Sequence, residues 1–202
     1  GVIKFALISL AATAVSATIG VSSLTLAGHA EMSSFISVWL TWWLGDLAGA
    51  LVVTPVVVLW ARSEPESLTP PQITGTGLTY LAAVAVGAFA FSPLLQQKTL
   101  HDALIFVVIL PLLWASLRQG PRDTATVALI ISAFAVGCTL LQCGPFAKPS
   151  LNDSFILLLA FTISTSVLSL ALSTDVAVRR RIENQLRQRA LETETLWQAT
   201  VH

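Results

Sequence analysis

The residue with the clearest chemical potential in this sequence is Asp46, an acid that stands inside an apolar run from Phe35 to Trp60. No Lys, Arg or Glu interrupts that run. An ionised Asp at the centre of a membrane helix costs roughly 2.5–3.5 kcal/mol on insertion scales. Such a residue normally faces the protein interior or a wet cavity, and it marks a functional site by default. Asp46 is therefore the first candidate for function.

Three tryptophans accompany Asp46 in the same run. Because an α-helix turns once in about 3.6 residues, Trp39, Trp42 and Trp43 fall on the same face as Asp46. A carboxylate flanked by indole rings suits a cation, through charge and cation–π attraction, and it also suits an aromatic ligand. The sequence therefore predicts that Trp39, Trp42, Trp43 and Asp46 line a site for an unknown small molecule.

A second interpretation gives Asp46 a structural role. Its carboxyl group would be protonated, or hydrogen-bonded to hydroxyl groups on neighbouring helices, and would help the helices to pack. Small and hydroxyl-bearing residues form one stripe on the first apolar segment (Ser9, Thr13, Ser16, Gly20 and Ser23) and another on the last (Thr162, Ser166, Ser169 and Ser173). Beside Asp46, Gly45 and Gly49 form a G-x-x-x-G pair, which predicts the close approach of another helix.

The composition identifies the class of protein that surrounds this acid. Hydrophobic residues make up 54% of the chain and charged residues only 11%, whereas soluble domains carry about 25% charged residues. The formal net charge of zero argues against a nucleic-acid partner. No cysteine–histidine–carboxylate cluster has metal-ligand spacing, and no nucleophile–base motif is present, so we expect no metal, no cofactor and no enzymatic activity. The chain starts at Gly1, and we expect it to be part of a longer protein. The lipid bilayer is its predicted partner.

Six segments are predicted to cross the membrane as helices, since roughly 17–25 mostly apolar residues span a bilayer. We place them at Val2–Leu26, Phe35–Trp60, Gly75–Phe91, Ala103–Leu117, Thr124–Leu141 and Ser154–Ala177. The fourth is short and contains Pro111, where a kink is expected. The predicted fold class is an all-α, polytopic transmembrane helix bundle.

Basic residues predict the orientation of this bundle. The N-terminus and the even-numbered loops share one side of the membrane, and that side carries Lys4, Arg62, Arg118, Arg122 and the run Arg179, Arg180 and Arg181. The opposite side carries only Lys98 and Lys148. By the positive-inside rule, both termini are cytoplasmic.

The chain changes character after Ala177, where the charged stretch 178–202 begins. It holds many good helix formers and no proline or glycine, so the last span is predicted to continue into the cytoplasm as one helix. Val178, Ile182 and Leu186 recur every four residues, which is a weak coiled-coil pattern. The stretch is either a solvated tail or a rod that carries a conformational signal, and we favour the rod.

Four sequence elements together resemble a known family. The run 42-WWLGDLAGALVVTPVVVLW-60 is the most specific, and it is followed by 111-PLLWASLRQGPRDTATVAL-129, 144-GPF-146 and 179-RRRIENQLRQR-189. In this order they resemble the membrane-associated sensor (MASE) domain of the first type. Nothing here matches the W-P-P-x-G-like element with which such domains begin, so the chain resembles the later part of one.

The resemblance implies a multi-pass sensory input domain of the bacterial inner membrane, with residues 1–177 as a partial sensor and residues 178–202 as a linker helix. Such domains precede diguanylate cyclase, phosphodiesterase or histidine kinase modules, so cyclic-di-GMP or two-component signalling is expected downstream. Output proteins of this kind act as dimers, and we expect a homodimer through the C-terminal helix. The signal would pass from Asp46 through Ser166, Ser169 and Ser173 to Arg179, Ile182 and Leu186.

Two other functions compete with sensing. A ligand-free anchor or dimerisation module would hold a cytoplasmic enzyme at the membrane, and it differs from a sensor mainly in whether Asp46 matters. A secondary transporter would use Asp46 to couple a proton or cation. Transporters tend to contain paired repeats, and the sequence holds no convincing second copy of the W-W-x-G-D element.

Overall fold

The computed structural model describes residues 2–62, 70–92 and 105–201, and for residues 70–72 and 194–201 the description is limited to the backbone. All regular structure in these ranges is helical, which confirms the predicted fold class. The helices are α1 (Val2–Leu26), α2 (Phe35–Ala61), α3 (Pro70–Phe91), α4 (Ile109–Arg118), α5 (Pro121–Leu140) and α6 (Leu151–Val201). Short 3₁₀ turns, Met32–Ser34 and Ile105–Val108, lead into α2 and α4.

Five of these helices are long and apolar enough to cross a membrane, with mean hydropathies from 1.5 to 2.3. They are α1, α2, α3, α5 and α6. The predicted fourth span differs, because its described part is the shorter apolar helix Ile105–Arg118. Its predicted start, Ala103, lies outside the described residues. Four residues of 3₁₀ and ten of α-helix extend only about 23 Å, less than the ~30 Å hydrocarbon core.

Pro111, where the sequence predicts a kink, is the third residue of α4, shortly after the change from the 3₁₀ turn to α-helix. The N–H groups of a first helical turn have no partner within the helix, so a proline there removes no hydrogen bond. The proline that does lie inside a helix is Pro55 of α2. It cannot donate to the carbonyl of Leu51, four residues earlier.

The helices alternate in direction between two ends of the bundle. At one end, the hydroxyl of Thr41 on α2 donates to Asn152 on α6. At the other end, the Trp60 indole on α2 donates to Thr126 on α5 at 3.0 Å. The second end holds the arginines of two chain turns and of α6 (Arg62, Arg118, Arg122, Arg179, Arg180 and Arg181). We call it the basic end.

The core lies among α3, α4, α5 and the first turns of α6. Its buried members include Ala83, Phe91, Val108, Leu112, Ala115, Val127, Ile131, Phe146 and Leu158. Three phenylalanine rings close it at the end opposite the basic end: Phe146 lies 5.1 Å from Phe161 and 6.1 Å from Phe91, between ring centroids. Helices α1 and α2 pack outside this cluster, and α1 is the least buried of the membrane helices.

Candidate functional site

Asp46 lies on the side of α2 that faces α1. Its Oδ2 accepts a hydrogen bond from the hydroxyl of Ser16 at 3.1 Å. Asp46 is half-buried and Ser16 is exposed. The partner therefore comes from the hydroxyl stripe that the sequence places on the first helix, and the carboxylate lies at the outer surface of the α1–α2 pair.

Two of the three tryptophans near Asp46, Trp39 and Trp43, also contact α1. Their ring centroids lie 5.1 Å apart at 30°. The indole N–H of Trp39 donates to the hydroxyl of Thr18 at 3.0 Å, and that of Trp43 donates to the carbonyl of Leu10 at 3.1 Å. Both polar edges are therefore satisfied within the pair of helices, as aromatic side chains in an apolar setting require.

Trp42 packs against a glycine of α1. A Cβ placed on Gly20 would lie 3.0 Å from Cζ2 of Trp42, so any larger residue would require the ring to shift by a few tenths of an ångström. Trp42 remains 39% exposed. The structure thus brings Trp39, Trp42, Trp43 and Asp46 together as predicted from helical geometry, and it places all four against α1. We call this group the tryptophan–acid cluster.

The G-x-x-x-G pair has open space around it. A Cβ on Gly45 or Gly49 would meet no atom of the described chain within 4 Å. Gly49 is exposed and Gly45 is half-buried. The glycine that accommodates a close neighbour in this region is Gly20, so the helix that Gly45 and Gly49 are predicted to receive is not one of those described, and that contact stays a prediction.

The hydroxyl stripe on α6 turns inward. Its buried members are Ser154, Thr162, Ser166, Ser169 and Ser173. Ser116 of α4 donates to the backbone carbonyl of Ser169 at 3.1 Å, which links these two helices inside the bundle. Within the described residues, the buried hydroxyls of Thr162 and Ser166 have no hydrogen-bond partner. The stripe thus forms the packing surface of α6.

A second acid, Asp123, directly precedes the predicted fifth span, Thr124–Leu141, and forms a polar cluster near the basic end. Asp123 is only 6% exposed, and its Oδ1 accepts a hydrogen bond from the hydroxyl of Tyr80 at 2.7 Å. The guanidinium of Arg122 lies 3.4 Å from the same oxygen and stacks 4.9 Å over the ring of Trp60. These contacts tie α2, α3 and α5 together.

A sequence signal for this cluster was present. Pro121 opens α5 directly after Gly120, an arrangement favoured at helix starts. Asp123 consequently belongs to the first turn of α5, where an acid is favoured by the helix dipole. The partner, Tyr80, could not be found from spacing because it lies on another helix, 43 residues away.

Arg180 connects the last helix to α4. Its guanidinium donates to the backbone carbonyls of Leu117 and Arg118, the second at 3.2 Å. These carbonyls end α4, where carbonyl groups lack partners within the helix. Of the other predicted relay residues, Arg179 pairs with Asp175 at 2.8 Å, and Ile182 and Leu186 are exposed.

Comparison with known proteins assigns a family to this arrangement. The family model of MASE1 matches residues 1–180 of the chain. No curated protein and no solved structure matches this chain. The matched range contains the tryptophan–acid cluster and the Tyr80–Asp123 pair, and it ends at Arg180. The expected membrane-associated sensor is confirmed: the chain is a multi-pass membrane protein that belongs to the MASE1 family of membrane sensory domains.

Proposed function

We propose that this chain is the non-catalytic input domain of a bacterial signalling protein, and that α6 carries its signal to an output domain. The main observation that supports this proposal is that α6 is one continuous helix, which begins in the bundle at Leu151 and ends at Val201. The 21 residues after Arg180 extend about 32 Å past the basic end. A helix is stiff over this distance, so movement inside the membrane is transmitted to its far end.

Helix α2 is the proposed connection between the stimulus and α6. It packs against both α1 and α6. Asp46 and the tryptophans occupy the side towards α1, while Leu47, Ala48 and Leu51 are buried. A small molecule that binds the tryptophan–acid cluster would shift α2, and α6 with it. To act as a stimulus, this molecule must bind two packings of the helices with different free energies.

The relay proposal rests on the contacts of α6 at the basic end. Arg180 holds α6 to the end of α4. The backbone carbonyl of Ser169, also on α6, accepts a hydrogen bond from the hydroxyl of Ser116 on α4. A rotation or shift of α6 breaks or remakes these bonds. Two packings with different hydrogen bonds are what a switch between two states needs.

The proposed setting is the bacterial inner membrane, with the basic end in the cytoplasm as the positive-inside rule requires. The proposed output is cyclic-di-GMP turnover or a histidine kinase. Val178, Ile182 and Leu186 support a homodimer through α6, because they are each more than half exposed on an otherwise charged stretch. Burial of this stripe against a second copy would remove it from water.

Insertions into α6 test the proposed relay. In the protein with its own output domain, alanines are inserted after Glu183, and output activity is measured at matched membrane levels. Each inserted residue rotates the rest of the helix by about 100°, so two inserted residues disturb the register, whereas seven nearly restore it. We expect altered output with two and near-normal output with seven. Equal output for both lengths would rule out a rigid helical relay.

A ligand-free membrane anchor is the second candidate, and one observation favours it. Each side chain of the tryptophan–acid cluster already contacts α1. Those contacts suit helix packing as well as ligand binding. Under this alternative, changes at Asp46 lower the amount of protein in the membrane and leave the response of the output unchanged.

A further inference from the structure

A groove separates α3 from α4 on the outside of the bundle. It encloses about 360 Å³ and is lined by Leu78, Ala82 and Val86 on α3 and by Leu110, Pro111 and Trp114 on α4. From Leu78 to Val86, the lining extends about 12 Å along the helix axis. Its surface is almost entirely apolar.

The groove opens outward, to the surface that lipid covers in a membrane. Leu78 is 69% exposed, Leu110 61% and Trp114 56%. In a soluble protein such a surface would mark a contact with another macromolecule. On a membrane helix, large apolar side chains face lipid as a matter of course, so exposure alone identifies no occupant.

A cation at one end of the groove identifies the occupant more closely. The guanidinium of Arg118 lies 5.4 Å from the ring centroid of Trp114. Arg118 is exposed, and the ion pairs within the described chain involve other arginines, Arg122 and Arg179. Among the described residues, this positive charge has no carboxylate partner, and it lies next to Trp114, an aromatic residue of the groove.

The surface beside Arg118 has room for a polar group. A Cβ on Gly75 or Gly77 of α3 would meet nothing within 4 Å in the described chain. The amide of Gln119 donates to the backbone carbonyl of Gly75 at 2.9 Å, which fixes this turn of α3 beside the end of α4. Exposed backbone with small side chains therefore lies beside Gln119, the residue that follows Arg118.

We propose that the groove binds one anionic phospholipid, with an acyl chain between α3 and α4 and the phosphate on Arg118. The two halves of the site argue for this ligand together. A soluble anion gains nothing from the apolar groove, and a neutral apolar molecule gains nothing from the arginine. A phospholipid of the leaflet at the basic end uses both. The proposal does not rest on a signal carried by α6.

Lipid titration of the detergent-purified protein tests the proposal. Native mass spectrometry counts bound dioleoyl phosphatidylglycerol and dioleoyl phosphatidylcholine, and thermal unfolding is followed in parallel. We expect one phosphatidylglycerol to bind in preference to phosphatidylcholine. Arg118→Gln should weaken that binding roughly fivefold, or about 1 kcal/mol, the usual contribution of one basic residue near an anionic surface.

Two further variants separate the groove from general charge. Arg62→Gln removes another exposed arginine of the basic end and should leave phosphatidylglycerol binding unchanged. Ala82→Trp fills the groove, leaves Arg118 in place and should weaken binding of the same lipid. Because Ala82 is exposed, this variant tests the site even if Arg118→Gln fails to fold.

Three results would overturn the proposal. Equal binding of phosphatidylglycerol and phosphatidylcholine would show that the negative charge of the lipid does not contribute to binding. An equal loss of binding in Arg62→Gln and Arg118→Gln would reduce the site to the general charge of the basic end. Full thermal stabilisation by soluble glycerol 3-phosphate, without an acyl chain, would show a phosphate site that does not use the groove.

Discussion

Asp46 and Asp123 are two carboxylates on membrane helices with opposite surroundings. Asp123 is 6% exposed and is held by Tyr80 at 2.7 Å, with Arg122 beside it. Asp46 is half-buried and accepts a longer bond, 3.1 Å, from an exposed serine. One acid is enclosed by partners from its own chain, while the other lies at a surface with capacity to accept further hydrogen bonds. The contrast assigns a structural role to Asp123 and leaves Asp46 available for binding.

The helices around the two acids differ in the same direction. In α5, half of the membrane-spanning stretch is buried, compared with 11% in α1. Gly87 of α3 is closed in by Phe134, whereas Gly45, next to Asp46, faces open space within the described chain. Helix α5 is therefore enclosed by the bundle, whereas α1, the partner of Asp46, packs on its outside. An element that responds to a ligand belongs to the less constrained part of a protein.

Removal of the enclosed acid should have the largest effect on stability. Asp123→Ala leaves the Tyr80 hydroxyl and the partly exposed Arg122 guanidinium without this partner. Loss of a hydrogen bond to a charged group costs about 1.5–3 kcal/mol. The thermal unfolding of the purified protein measures this loss. Tyr80→Phe should cost less, about 1 kcal/mol, because only one neutral donor is removed.

Asp175→Ala is the matched control, since Asp175 forms an exposed pair with Arg179 one helical turn away. Exposed pairs of this kind contribute about 0.3–0.5 kcal/mol. If Asp123→Ala and Asp175→Ala destabilise the protein equally, Asp123 is not a structural acid and the contrast with Asp46 is lost.

Glycine-to-alanine changes should sharpen the difference between the two regions. A Cβ on Gly87 would lie 2.8 Å from the Phe134 ring, so Gly87→Ala forces the core to shift, and overpacking of this kind costs about 1–3 kcal/mol. Gly20→Ala should cost less, because its Cβ would lie 3.0 Å from Trp42, which is partly exposed. Unfolding of both variants in detergent gives the order.

Among these glycine-to-alanine changes, Gly45→Ala should cause the smallest loss of stability. Its Cβ would meet nothing in the described chain, so the purified domain should unfold as the wild type does. A large loss of stability on Gly45→Ala would show that a helix covers this face, as the G-x-x-x-G pattern predicts, and Asp46 would then be enclosed as well.

A small loss of stability is expected at Arg180. Arg180→Gln removes hydrogen bonds to exposed carbonyls at the end of α4, so we expect a loss of about 1 kcal/mol or less. Output activity should nevertheless change, because the contact joins α6 to α4. Arg181→Gln, which alters a neighbouring exposed arginine, serves as the control for charge. Unchanged output in Arg180→Gln would show that the contact between Arg180 and the end of α4 does not transmit the signal.

Local pattern and composition predicted much of this fold. Long apolar runs gave the spans of α1 and α2 nearly to the residue and the start of α6 to within three residues. The grouping of arginines at one end followed from their loops. The placement of the tryptophans and Asp46 on a common side of α2 followed from helical periodicity. These features depend only on residues close together in the chain.

Features that depend on distant contacts were missed. The Tyr80–Asp123 bond joins helices whose packing no local pattern specifies. The fourth segment was predicted to span the membrane because it is apolar, but its described part is too short. Which of the two hydroxyl stripes would meet Asp46 was undetermined, because the choice depends on how α2 is rotated between α1 and α6. In the structure, the partner of Asp46 is Ser16 of α1.

The most direct test of the central claim measures output from the protein with its own output domain, carrying Asp46→Asn or Asp46→Ala, at matched membrane levels. Ser16→Ala is the control, since it removes the hydrogen-bond donor and keeps the carboxylate. We predict near-normal membrane abundance for all three variants, with the response altered in both Asp46 variants and largely retained in Ser16→Ala. Normal output with a normal response in both Asp46 variants would contradict a sensory role for this acid and would favour the anchor.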